Sequence, residues 1–300
     1  MPPPDEDISH LPGGRSARVT RTRPYADAMT AEPAAAWSTS DVLAASAAWQ
    51  WYPDDASVVT GDHTIVNWPD WSPQGAVVLA ARPDREPAGL LDEAADAARG
   101  WGRDHLSWWV SGADNPDLEP LLRSRGAETV ETVDVLARPT GSAAPADPAA
   151  AGIDVHQVTT LDHLRDADVV DVAVWDQQPM DAARLGAELD GLRPAPDGTA
   201  AALRVVAYLD GRPVATGGAT VVDAPRPPLG RVARLWGAAT LPSARGRGAY
   251  RAVLGERLRL ASAAGATLAL VKGRAETSAP ILVRGGFTPY ATERLLRVPL

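Results

Sequence analysis

A short loop with two arginines and two glycines is the part of this sequence best suited to bind an anion. It occupies Arg245–Tyr250 and reads Arg-Gly-Arg-Gly-Ala-Tyr, between a predicted strand, Val232–Leu241, and a strongly periodic helix. A helix that begins directly after a strand and a loop leaves its first backbone N–H groups unpaired at the positive end of its dipole. The glycines let the backbone approach a ligand, and the arginines add charge-assisted hydrogen bonds. The segment therefore predicts a phosphate or pyrophosphate site.

The alternative interpretation of this loop is an ordinary basic turn, because a short glycine motif is weak evidence by itself. The helix after the loop adds to the argument, since one of its faces is apolar. Positions i, i+3, i+4, i+8 and i+11 make up that face: Tyr250, Val253, Leu254, Leu258 and Ala261. The charged residues of the helix, among them Arg257, are predicted on its other sides.

The elements that must position this loop can be read from the sequence on both sides of it. Upstream, Leu203–Val222 predicts a hairpin with Asp210-Gly211 at its turn. Two helices precede the hairpin, and a strand, a short helix and a last strand follow the periodic helix. Their predicted bounds are Leu161–Trp175, Asp181–Leu192, Thr267–Val271, Ser278–Arg284 and Glu293–Leu300. The predicted order of elements is β-α-α-β-β-β-α-β-α-β.

This order resembles the GNAT superfamily of acyl-CoA-dependent N-acyltransferases. The family has a loop of the form Q/R-x-x-G-x-G/A between a strand and a helix, and a later helix that ends in Gly-Phe. Arg245 matches the first position and Gly248 the first glycine, whereas Tyr250 stands at the last one; Gly286 and Phe287 match the Gly-Phe. The resemblance covers residues 153–300 and implies a mixed α/β fold, with a central sheet flanked by helices.

The resemblance also implies which residues contact the co-substrate, acetyl-CoA or another acyl-CoA. Backbone groups of the central strand would polarise the thioester carbonyl and contact the pantetheine arm, and the loop would bind the pyrophosphate. The implied cofactor-binding residues are Ala238, Ala239, Thr240, Leu241, Arg245, Gly246, Arg247, Gly248, Ala249, Tyr250, Thr277 and Ser278.

The tyrosine that the family places near the thioester sulfur is missing from this sequence. Five residues before Phe287 stands Leu282, which cannot donate a proton. Tyr250 is the candidate acid and Tyr290 an alternative, and a bound water or direct release of the thiolate would also serve. Glu276, just after the next strand, is the candidate general base, and a water-relayed base is the alternative. Packing for the tyrosines and a surface position for the glutamate are the simpler interpretations.

The first half of the chain resembles a degenerate copy of the second. It predicts a helix, a strand, a short helix and a strand in the same order, at Leu91–Ala98, Leu106–Val110, Asp117–Gly126 and Thr129–Leu136. In place of the phosphate loop stands Ala81–Gly89, with two acids and two prolines. Acids repel phosphate and proline has no N–H, so this copy is predicted not to bind acyl-CoA.

These observations divide the chain into a predicted disordered tail, two domains and a linker. The tail is residues 1–30, the degenerate GNAT-like domain is 31–138, and the acyl-CoA-binding domain is 153–300. Residues 139–152, rich in proline and alanine, join the two domains.

Composition limits the kind of function. The net charge of −9 disfavours nucleic-acid binding, since DNA and RNA favour a basic face. The chain has no cysteine, and its five histidines have no ligand spacing, so no metal site is predicted. The acidic, proline-rich start is unlike a secretory signal, and no run is long enough to span a membrane, which favours a cytoplasmic protein.

The sequence therefore predicts an N-acyltransferase that moves an acetyl group from acetyl-CoA to a primary amine on a small molecule or a peptide. The amine would attack the thioester directly in a ternary complex, without nucleic acid, membrane or metal, and a homodimer is allowed. The alternative is a catalytically silent acyl-CoA-binding sensor or regulatory module, which the missing tyrosine favours.

Overall fold

The computed structural model describes residues 37–70, 72, 74–141, 152–193 and 201–300. All of them lie in one compact unit that spans Ala34–Leu300. The predicted tail, 1–30, and residues 142–151 of the predicted linker lie outside the described residues. The domain bounds drawn above stay a prediction.

The described residues form helices and strands that follow the predicted order closely. The helices are α1 Thr39–Ala47, α2 Pro87–Gly100, α3 Leu118–Ser124, α4 Leu161–Trp175, α5 Ala182–Gly191, α6 Ala249–Ala263 and α7 Ser278–Arg284. The strands are β1 Ser57–Thr60, β2 His63–Asn67, β3 Ala76–Ala81, β4 His105–Val110, β5 Glu128–Pro139, β6 Ile153–Gln157, β7 Ala201–Leu209, β8 Arg212–Asp223, β9 Arg231–Thr240, β10 Ala266–Arg274 and β11 Thr288–Pro299.

Each half contains the same strand–helix–strand unit, which confirms the predicted mixed α/β fold in two tandem halves. In the first half, β3 and β4 are parallel and α2 connects them. In the second half, β9 and β10 are parallel and α6 connects them. A short helix and a long strand then follow, α3 and β5 in one half and α7 and β11 in the other.

The eleven strands form one continuous sheet because the two halves exchange their last strands. The order is β1-β2-β3-β4-β11-β5-β10-β9-β8-β7-β6. Strand β11 of the second half pairs with β4 and β5 of the first, and β5 pairs in turn with β10 of the second half. Each half therefore completes the sheet of the other.

Helices cover the second half of the sheet on both faces. Along β7, Val205 packs in one cluster with Val253 of α6, whereas the next residue, Val206, packs with Leu164 of α4. Successive side chains of a strand point to opposite faces, so α6 and α4 lie on opposite sides of the sheet.

The hairpin before the central strand turns where the sequence predicted. Asp210 and Gly211 have φ values of 52° and 71°, the left-handed conformation that a tight two-residue hairpin turn requires. Strands β7 and β8 pair in antiparallel fashion on either side of this turn.

Strand β9 separates from β10 halfway along its length. The parallel ladder ends at the pair Leu235 and Val271, although β9 continues to Thr240. On its other edge β9 has a bulge, where the register with β8 shifts and Gly237 has a φ of 58°. The last five residues of β9 thus lie without a β10 partner, and a cleft opens between the two strands at their carboxyl ends.

Candidate functional site

The predicted phosphate loop lies at the open end of this cleft. After β9 the chain makes one turn of 3-10 helix, Pro242–Ala244, and enters α6 through Gly248. Gly248 is the residue before the helix, with a φ of 85°, and no side chain caps the helix there. The first N–H groups of α6 are therefore open to an external acceptor, as the sequence predicted.

The two arginines of the loop are exposed and have no acidic partner among the described residues. The Nε of Arg245 donates to the carbonyl oxygen of Thr240 at 3.4 Å. Arg247 lines a cavity of about 440 Å³ with the hairpin turn, to which Asp210 and Arg212 contribute. The loop thus presents two unneutralised cations next to an uncapped helix.

The four strand residues predicted to contact the acyl arm have different surroundings. Ala238 lies in the bulge, between the pairs that Trp236 and Ala239 make with β8. The Oγ1 of Thr240 is buried and has no hydrogen-bond partner among the described residues, which suits a site for a polar ligand. The backbone groups of Leu241, by contrast, are both hydrogen bonded within the protein. Its N–H donates to the carbonyl oxygen of Val214 at 2.9 Å, and its carbonyl oxygen accepts from the N–H of Ala244 at 2.9 Å.

Beneath the bulge the structure places a residue that the sequence pattern assigned to the wrong side of α6. Arg257 was predicted on a charged face, but only 2% of it is exposed. Its Nη1 donates to the carbonyl oxygens of Gly218 at 3.2 Å and Trp236 at 3.4 Å. Sequence spacing could have predicted this burial. Arg257 lies seven residues, or two helical turns, after Tyr250 and therefore on the same face of α6.

The candidate acid, Tyr250, begins the buried face of α6 and hydrogen bonds to Arg257. Burial raises the pKa of its phenol, and the guanidinium of Arg257 opposes that rise. The candidate base, Glu276, is exposed in the turn after β10, at the same edge of the sheet as the loop. The structure gives these two residues separate positions on either side of the cleft.

The start of α7 borders the cleft from the β10 side. Thr277 precedes the helix without capping it, and Ser278 is its first residue. Leu282, at the position of the family tyrosine, is 1% exposed and packs over Gly273 of β10. Its neighbours in the core are apolar, and the identity of the proton donor stays a prediction.

The sole lysine, Lys272, lies on β10, one residue past the end of the β9 ladder. Its Nζ is 2.8 Å from a carboxylate oxygen of Glu293 on β11, and Glu293 also accepts from Ser46 of α1. No sequence pattern pairs these residues, which the exchanged strand β11 brings together.

In the described part of the first half, the helix start that corresponds to α6 is capped by a side chain. Glu86 precedes α2, and its carboxylate accepts hydrogen bonds from the N–H groups of Ala88 at 3.0 Å and Gly89 at 2.9 Å. Pro87, the first residue of the helix, has no N–H to offer. That the first copy does not bind acyl-CoA stays a prediction, and this capped helix start is the structural feature on which it rests.

Comparison with solved structures relates this geometry to known proteins. A GCN5-related N-acetyltransferase from Kribbella flavida has a TM-score of 0.56 and 24% identity, over 82% of this chain and 90% of that one. A tandem GNAT protein from the clavulanic acid biosynthesis pathway has a TM-score of 0.55 and 18% identity, over 83% and 85% of the two chains. The chain has the tandem GNAT fold.

A further GCN5-related N-acetyltransferase, from Sphaerobacter thermophilus, has a TM-score of 0.54 and 18% identity, over 79% of this chain and 80% of that one. No protein-family profile matches the sequence, and no curated protein does. The likeness is thus one of structure, and these identities establish the tandem GNAT fold alone.

Two further properties of the described residues bear on ligands and membranes. They contain no group of three or more side chains placed to hold a metal ion. None of the helices in the described part of the chain has both the length and the hydropathy needed to cross a bilayer.

Proposed function

We propose that this protein is an N-acyltransferase that moves an acetyl group from acetyl-CoA to a primary amine of a small molecule or a peptide. The observation that carries the proposal is the uncapped start of α6 at the mouth of the cleft between β9 and β10, next to two arginines that have no acidic partner among the described residues. The tandem GNAT fold and the N-acetyltransferases that share it support the same reaction class.

In this proposal the loop binds the pyrophosphate and the cleft holds the acyl arm. The N–H groups at the start of α6 and the side chains of Arg245 and Arg247 contact phosphate oxygens. Backbone groups around Ala238 and Thr240 hold and polarise the thioester, and the start of α7 lines the other side.

The amine then attacks the thioester carbon directly in a ternary complex. A C–N bond forms, the C–S bond breaks, and the nitrogen loses a proton to Glu276 or through a water molecule. Tyr250 is the candidate donor of a proton to the leaving sulfur, since Arg257 lowers the pKa that burial raises.

The second candidate function is a silent acyl-CoA sensor. The observation that favours it is Leu282, because a buried leucine occupies the place of the family's proton donor. Both functions require acyl-CoA binding at the loop, and they differ in whether an amine releases free CoA.

Calorimetric titration of acetyl-CoA, with ATP as a control, tests the proposed site. We expect one equivalent to bind with a micromolar Kd and ATP to bind much more weakly, because the acyl arm contributes contacts that ATP lacks. Two equivalents would mean that the first half also binds. Absence of binding would overturn both functions.

A panel of primary amines, with free CoA measured by a thiol reagent, separates the enzyme from the sensor. Release of CoA that depends on one class of amine supports the acyltransferase. Binding of acetyl-CoA without release for any amine would favour the sensor.

A further inference from the structure

The guanidinium of Arg257 is buried in the second half, and no acid in the described part of the chain neutralises it. Only 2% of the residue is exposed, and the described residues provide it with no ion pair. Its Nε is buried and has no hydrogen-bond partner among them either. Burial of an unpaired charge costs stability, and groups of this kind are concentrated at functional sites.

Three elements hold this guanidinium in place. Nη1 donates to the carbonyl oxygens of Gly218 on β8 and Trp236 on β9, and the hydroxyl of Tyr250 on α6 hydrogen bonds to the same side chain. Tyr250 is the one titratable group on these elements whose charge acts on Arg257, among the described residues. The arginine thus spans from the first turn of α6 to the bulge.

A pair of glycines in β8 makes room for this arrangement on both faces of the sheet. A Cβ at Gly217 would lie 3.1 Å from Cζ of Arg257, on the α6 side. A Cβ at Gly218 would overlap the indole ring of Trp236, on the opposite side. The bulge, the arginine and the tryptophan therefore form one packed unit.

This unit lies at the closed end of the cleft. The bulge begins just after Trp236, at the closed end, and four residue steps along β9 lead from Trp236 to Thr240, its last residue on the side of the loop. At about 3.3 Å per residue these steps span about 13 Å, and with the 3-10 turn beyond Thr240 the path to the loop is comparable with an extended pantetheine arm. If the loop binds the pyrophosphate, as proposed above, the thioester reaches the bulge, and this step rests on the proposed function.

We infer that Arg257 is a positioning residue for acyl transfer, which fixes the bulge of β9 and places a positive charge beneath the point where the CoA thiolate leaves. When the C–N bond forms and the C–S bond breaks, the electron pair of the C–S bond stays on sulfur. The guanidinium stabilises that negative charge in a site of low dielectric until the sulfur takes up a proton.

Binding of free CoA tests the charge without requiring turnover. The thiol of CoA ionises near the pH of an ordinary thiol, whereas acetyl-CoA has no thiol. Wild-type protein should bind CoA more tightly as the pH rises from about 7 to 9, and Arg257→Met should lose about tenfold in CoA affinity at the upper limit. In the same variant, the Kd of acetyl-CoA should stay within about twofold of the wild-type value.

Kinetics and matched variants complete the experiment. With an active amine, Arg257→Met should lower kcat about tenfold or more and leave the KM for acetyl-CoA nearly unchanged. Arg257→Lys keeps the charge and should retain part of the pH dependence of CoA binding. If Arg257→Met fails to fold, this variant tests whether the charge acts on the thiolate. Arg259→Met is the control, because Arg259 is exposed on the same helix and pairs with Glu256.

The outcomes separate this inference from the proposed function. A folded Arg257→Met protein that keeps both the pH response of CoA binding and the wild-type kcat would overturn the role of Arg257. Wild-type protein that binds no acetyl-CoA would overturn the proposed function and, with it, the inference. If acetyl-CoA binds but no amine reacts, the CoA titration still decides whether Arg257 acts on the sulfur.

Discussion

Helices α2 and α6 have the same place in their halves, each between two parallel strands of one sheet. Strands β3 and β9, which precede them, also share a register shift against the neighbouring antiparallel strand. The helix starts differ. The carboxylate of Glu86 occupies the first N–H groups of α2, whereas Gly248 leaves those of α6 open.

The arginines of the two loops also differ, because acids pair with those of the first half. In the first half, Arg85 pairs with Asp62 and Glu93, and Arg82 pairs with Asp62 and Asp84. In the second half, the loop arginines have no acidic partner among the described residues. In the first half a carboxylate therefore occupies the helix start and acids pair with the loop arginines, so the predicted absence of acyl-CoA binding there requires no change of fold.

The largest expected effect comes from closing the open helix start. Gly248→Val places a β-branched residue at a φ of 85°, a conformation that such residues rarely adopt, and moves the N–H groups that would contact phosphate. We expect the Kd of acetyl-CoA to rise about 100-fold. Calorimetry measures this change, and circular dichroism checks that the fold is retained.

Gly89→Val, in the first turn of α2, is the comparison in the first half. It should leave acetyl-CoA binding unaltered, because Glu86 already occupies the N–H groups there. A large loss of affinity in Gly89→Val, or none in Gly248→Val, would show that the active copy has been assigned to the wrong half.

A smaller effect is expected from changing the glycine pair in β8. Strand β2 has no such pair, because the residues beside its register shift with β3 are Thr64 and Ile65. Gly218→Ala forces the indole of Trp236 away from the sheet, and overpacking of this kind costs about 1–3 kcal/mol of the free energy of unfolding. Urea denaturation measures the loss. Gly61→Ala, whose Cβ would meet open space, is the control and should be neutral. Equal stability of the two variants would contradict the packing described for Trp236.

The smallest effect concerns the carboxylate that fills the first copy. Hydrogen bonds from Gly89 and Ala88 lower the pKa of Glu86 below its ordinary 4.5. A depressed folded pKa stabilises the protein above the unfolded pKa, and this contribution is lost as the pH falls through the folded value. Glu86→Gln should therefore lower the urea midpoint slightly at pH 7, and the difference from wild type should shrink below pH 4.5.

The expected result for ligand binding in Glu86→Gln is no gain. Pro87 still lacks an N–H, and Asp62 and Asp84 still neutralise the loop arginines. If the variant bound a second equivalent of acetyl-CoA, the carboxylate of Glu86 alone would account for the loss of the first site.

The local features of the site were predictable because they depend on neighbours in the sequence. The apolar period of α6, the turn at Asp210-Gly211 and the bounds of α4 and α7 follow from hydrogen bonds within a few residues. The strand bounds were less accurate. Strand β11 begins at Thr288, five residues before the predicted start at Glu293, because its early part pairs with β5.

The chemistry of the two loops follows from their residue types alone. Two glycines and two arginines precede one helix, acids and prolines precede the other, and Leu282 stands where a proton donor would be needed. These facts depend on residue type and order, which no packing can change.

The tertiary structure alone decided how distant residues meet. The exchange of β5 and β11, the pair of Lys272 with Glu293 and the burial of Arg257 under the β9 bulge join segments far apart in the chain. From residue type alone, a charged side chain is predicted to be exposed. Arg257 is instead buried because two glycines of β8 and the carbonyl groups beside a bulge provide space and acceptors that a helical period cannot show.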